Sequence, residues 1–168
     1  MLFVQLSALF SLFALAAALP TPLKQATAAC PSFALQDYAN FQISDGTAGG
    51  ALAQANAVFV DPFNGCDLST VDATSLKNLQ AMRVAAETAE NADFNPQIAA
   101  ASGAAATALQ NGKIKNKVLK LVGEIQGLKI EAAQGSDETS DIATETTKLN
   151  NNIALDTKAA GQTSKGVA

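Results

Sequence analysis

Histidine and tryptophan are absent from this sequence, and its 168 residues hold two cysteines and one tyrosine. Without histidine no His-based catalytic triad can be assembled. A zinc site built from His and Cys clusters is excluded on the same ground. No D-x-[DN]-x-[DN]-G run is present to form a Ca²⁺ loop, and no N-x-[ST] sequon occurs. Charge is sparse: 11 Lys and Arg against 15 Asp and Glu give a net charge of −4. That balance argues against general nucleic-acid binding, which wants a basic face, and it is too mild to imply disorder. After the first 19 residues no segment approaches the roughly 20 apolar residues of a membrane span.

What is present begins with Met1 to Leu19, MLFVQLSALFSLFALAAAL, a run without a charged side chain. It ends in Ala16-Ala17-Ala18 before Leu19-Pro20, a small-x-small site, and reads as a secretory signal peptide over residues 1–18. Gln5, Ser7 and Ser11 interrupt the run and no basic flank follows, which argues against a membrane anchor. Residues 19–29 read as a flexible leader, 30–161 as a helical domain and 162–168 as a frayed tail. In an exported chain the even pair Cys30 and Cys66 reads as a disulfide. Closing a loop of that size contributes about 3–4 kcal/mol in the chain-entropy model.

The mature chain is rich in alanine, the best helix former. Asn111 to Gln134 organises it. Ile114, Val118, Leu121, Ile125, Leu128 and Ala132 recur at 4, 3, 4, 3, 4, which places one apolar stripe along a helix and leaves Lys and Glu opposite. Such a stripe requires partner helices. Ala48, Leu52, Ala55 and Phe59 predict a first helix over 46–59, started at Ser44-Asp45-Gly46 and ended by Asp61-Pro62. Gly49-Gly50 within it reads as a close helix contact, with a hinge as the alternative. Leu76, Leu79, Met82, Ala86 and Ala89 predict a second over about 72–91. Asn95-Pro96 starts a third that Asn111-Gly112 ends, the organising helix either following after this break or bending straight out of the third. Gly135-Ser136 stops the organising helix and caps a last one, marked by Ile142, Leu149 and Ile153 and running to about Ala160. Phe33, Tyr38 and Phe41 are expected to pack over one end. The sum is an all-α, up-and-down bundle of four to five helices whose N-terminal segment is stapled by one disulfide.

Two stretches, FQISDGTAGGALAQANAVFVDPF at 41–63 and FNPQIAAASGAAATALQNGKIKNKVLKL at 94–121, resemble a family of small secreted proteins of filamentous fungi. The resemblance implies secretion, a helical domain and an effector-like or hyphal-surface role without enzymatic activity. It implies no catalytic residue and no cofactor.

The strongest charged feature is Lys113, Lys115, Lys117 and Lys120, at what the pattern makes the N-terminal end of the organising helix. The helix dipole disfavours cations there, so the four read as a candidate patch for an anionic partner: lipid headgroups, at the membrane surface only, a polysaccharide, or an acidic host or wall component. The alternative is a solvated face balanced by acidic residues of neighbouring helices. Glu87/Glu90, Asp137/Glu138 and Asp141/Glu145 are local carboxylate pairs, and nothing in the pattern places any of them across a cleft as glycoside hydrolysis requires. An Ala-lined bundle could also carry a lipid or small apolar ligand if its helices splay, against a dry packed core.

Overall fold

The computed structural model describes residues 28–168, so the expected signal peptide and all but the last two residues of the leader lie outside the described part. The elements are β1 (Ala28–Ala29), α1 (Tyr38–Phe41), β2 (Gly46–Thr47), α2 (Ala51–Phe59), β3 (Cys66–Asp67), α3 (Ala73–Thr88), α4 (Asn95–Ala100), α5 (Gly103–Ala133), α6 (Thr139–Lys158) and β4 (Thr163–Ser164). The fold is an all-helical bundle, and its strands are two-residue pairings. β1 runs parallel to β3, and β2 runs antiparallel to β4. The Cys30–Cys66 disulfide, with a Cα–Cα distance of 4.8 Å, joins the N-terminal segment to the body.

α5 is the axis, and α2, α3 and α6 all pack against it. Ile114, Val118, Leu121 and Ile125 are buried as their spacing predicts. The helix is buried on more than that stripe, however. Leu119, Val122 and Ile130 line a second face, and the polar Asn111, Lys115, Asn116 and Gln126 are buried too. Two glycines let neighbours reach the backbone. A Cβ on Gly123 would stand 3.0 Å from the Phe59 ring, and one on Gly112 1.9 Å from the Lys165 carbonyl oxygen.

That last contact explains why Asn111-Gly112 is no helix stop. α5 begins nine residues earlier, at Gly103, and Asn111 Nδ2 donates 2.9 Å to the Thr163 carbonyl. Both residues serve tertiary contacts. The second and third helices likewise join: α3 passes into α4 through a π-helical turn, Ala89–Phe94, in which Asn95 N–H donates to the Glu90 carbonyl. The wider turn falls just before Pro96, which has no N–H to donate.

The first helix starts at Ala51, five residues later than expected, because Gly46–Thr47 pairs with Thr163–Ser164. Gly49-Gly50 therefore precedes the helix and is not the helix contact expected: Gly49, at φ +105°, lies close to Ala160, 2.7 Å from its Cβ if it carried a Cβ itself, whereas a Cβ on Gly50 would meet nothing within 4 Å. The C-terminal residues do not fray. Lys165 N–H donates to the Ala108 carbonyl at 2.9 Å and Gly166 N–H to Asp45 Oδ1 at 2.8 Å. Gly135, at φ +110°, ends α5 as expected. α6, however, starts at Thr139 with Glu138 at the cap position, so Ser136 does not cap it.

Phe33 and Phe41 are members of the core, and the half-buried Tyr38 packs against it. Phe33 stacks on Phe63 at 5.4 Å and on Phe59 at 6.3 Å, and Tyr38 meets Phe41 edge-on at 5.5 Å. Phe33 is held by its backbone, whose N–H donates to Ser75 Oγ and whose carbonyl accepts from Asn78.

Candidate functional site

The four lysines of the sequence patch sit in the middle of α5, so the dipole argument no longer applies to them. They do not form one surface. Lys115 is fully buried. Its Nζ donates to the carbonyls of Asp45 at 2.8 Å and Thr47 at 3.2 Å, fastening the turn that carries β2. Burial lowers its pKa, and the charges of Asp156 and Asp45 only partly oppose that. Asp156, also buried, accepts the N–H groups of Gly49 and Ala51 at 2.9 Å each, capping α2. Lys115 is thus a structural cation and leaves the anion patch. Lys113 donates to Asn95 Oδ1 at 2.6 Å.

Lys117 and Lys120 face the π-helical turn. Glu90 spans them, with Oε1 3.2 Å from Lys117 Nζ and Oε2 2.8 Å from Lys120 Nζ. Burial pushes the Glu90 carboxyl up, but the hydrogen bond and charge of Lys120 and the charge of Lys117 outweigh it and hold the group below its ordinary value. The π-helical turn sets Glu90 beside α5. These two lysines are balanced by an acid on a neighbouring element, the solvated-face alternative, with the acid itself buried.

Beside these lysines a groove follows α5 between α3 and α6. One cleft of about 230 Å³ is lined by Arg83, Glu87, Lys120, Leu121, Glu124, Glu145 and Lys148. A second of about 210 Å³ shares Lys120, Leu121 and Lys148 with it and adds Lys117, Asn151 and Asn152. A small third, of about 40 Å³, continues past Arg83 and Glu124 to Gly127 and Glu131. Arg83 bridges two acids, Glu124 at 2.6 Å and Glu87 at 2.7 Å, while Lys148 pairs with Glu145 at 2.6 Å. Glu145 raises the Lys148 pKa through that hydrogen bond. From residue 117 to 131 the groove follows roughly 20 Å of helix.

The carboxylate pairs do not converge. Glu87 and Glu90 bind different cations, Asp137 accepts weakly from Thr139 N–H, and Glu145 binds Lys148. Among the described residues no group of three or more His, Cys, Asp or Glu could hold a metal ion, and no helix is long and apolar enough to cross a membrane. Sequence reasoning missed Arg83, Glu124, Lys148, Asn151 and Asn152 as groove residues. The local signals were Arg83 and Glu87, four apart on α3, and Glu145 and Lys148, three apart on α6.

No curated protein and no solved structure matches the chain. A family model described as a domain of unknown function (DUF8454) matches residues 33–168, from the first core phenylalanine onward, and the chain belongs to that family.

Proposed function

We propose that this protein works outside the cell as a non-enzymatic binding module, effector-like or surface-associated in a fungus as its sequence resemblance implies. The groove along α5 is its contact. The observation that carries this reading is the groove itself: cations and acids held in fixed pairs around open clefts, on a helical frame with a packed apolar core of its own. Fixed charges pay their ordering cost in advance, which favours recognition of a polar partner. The leader sequence and the Cys30–Cys66 disulfide support export. The charged walls and small volumes of the clefts favour a polar partner over an acyl chain.

The test is to express the full chain with its own leader in a secreting host and co-sediment the product with wall polysaccharide fractions. Expected are protein in the medium with both cysteines oxidised, and saturable retention on one fraction. Intracellular retention with free thiols would refute the extracellular part. Absence of saturable retention on every fraction would refute the binding part, and turnover of a substrate in a hydrolase panel would refute the non-enzymatic part.

A further inference from the structure

We infer that the paired clefts form a site for an acidic oligosaccharide, an inference that rests on the binding reading above and names its ligand class. The 210 Å³ cleft is lined by three lysines, Lys117, Lys120 and Lys148, by Asn151 and Asn152, and by Leu121. No carboxylate lines it. An ammonium has three N–H donors. The ion pairs to Glu90 and Glu145 engage one on each lysine, so donors remain for an oxyanion in the cleft. Those pairs also position the amines: Glu90 grips two of them from the buried side.

Asn152 is itself buried, and its Nδ2 donates to the Lys148 carbonyl at 2.8 Å, which fixes the carboxamide. Carboxamides both donate and accept, the pairing a sugar hydroxyl needs. The adjoining 230 Å³ cleft has a different chemistry. Glu87, Glu124 and Glu145 accept hydrogen bonds there, and Arg83 donates. It suits a neutral, hydroxyl-rich unit and repels an anion placed beside its acids. Each cleft is smaller than the roughly 300 Å³ of a drug-sized pocket. The two share Lys120, Leu121 and Lys148, so they fit successive units of one chain, one anionic and one neutral. A membrane surface would favour a flat basic face, and a cleft whose cations alternate with acids opposes it.

The oxyanion has two sources, a carboxylate or a sulfate, and the experiment separates them. The full chain is titrated by NMR with a uronate-containing oligosaccharide, a sulfated oligosaccharide, a neutral glucan oligosaccharide and anionic phospholipid vesicles. Expected are saturable shifts at the side-chain amides of Asn151 and Asn152 with one acidic oligosaccharide. The double variant Lys117→Gln/Lys148→Gln should weaken that binding at least tenfold. Lys77→Gln/Lys129→Gln, two exposed lysines outside the clefts, should leave it within twofold. Circular dichroism checks the fold of both variants. No saturable shift with either acidic oligosaccharide, or equal weakening by the two variants, overturns the inference. Binding of glucan or vesicles that is indifferent to Lys117 and Lys148 also overturns it, and leaves the binding reading standing. Failure of all four probes together with no retention on wall fractions removes both.

Discussion

The two sides of α5 are built on different physics. Toward α2 and α3 it meets Phe59, Leu79, Met82 and Ala86, all fully buried, through Val118, Leu119 and Val122. Toward α6 and the C-terminal residues, the buried side chains are Ala159 and the polar Asn152, Asp156 and Ser164, while Leu149 and Ile153 are only half-buried. The first side gains stability from area removed from water. The second gains direction from hydrogen bonds, because a charged or amide group accepts only a few geometries. Helix α6 and the tail are therefore placed with specificity and held with less free energy. The groove lies along the α6 side, where packing is incomplete.

The largest effect expected is on the apolar side. Phe59→Ala should cost about 3–5 kcal/mol in urea unfolding, whereas Leu149→Ala on α6 should cost under about 2 kcal/mol. Equal costs would erase the contrast. Next is the cap across the polar side. Asp156→Ala strips two backbone N–H groups at the start of α2 of their partner and removes one of the two carboxylates, Asp156 and Asp45, whose charges favour the Lys115 ammonium, for a loss of about 2–3 kcal/mol. Gly112→Ala should act locally. The new methyl meets the Lys165 carbonyl, so amide exchange at residues 163–166 should speed up markedly while α3 stays protected.

Why some of this was legible in the sequence and some was not follows from the same contrast. Apolar spacing reports volume, so the α5 stripe, Leu79, Met82 and the helical class could be read. Polar residues carry no such period. Asn111-Gly112 looks identical whether it ends a helix or admits a strand against one, and only the position of residues 163–166, some fifty residues away, decides it. Lys115 was grouped with its neighbours because sequence spacing does not show that its ammonium turns inward to the Asp45 and Thr47 carbonyls. The groove draws on three helices, so no local pattern contains it.

A smaller effect concerns acid. The Asp45 carboxyl is held below its ordinary value chiefly by the Gly166 N–H and by Gln42. For Glu90, burial acts upward, and Lys120 and Lys117 overcome it. A carboxyl with a depressed folded pKa stabilises above its unfolded value, and that contribution is lost as pH falls through the folded one. Melting temperature should therefore fall as pH drops below about 4. Glu90→Gln should lower stability at pH 7 and make the acid fall shallower. Lys115 has the opposite sense: its lowered pKa opposes folding while it is charged, and this is relieved only in alkali.

Native-state hydrogen exchange on the oxidised protein tests the two-sided helix most directly. Amides of α3 and of the centre of α5 should exchange only through global unfolding, and those of α6 and residues 163–166 through an earlier opening of lower free energy. Protection in α6 equal to that in α3 would contradict it.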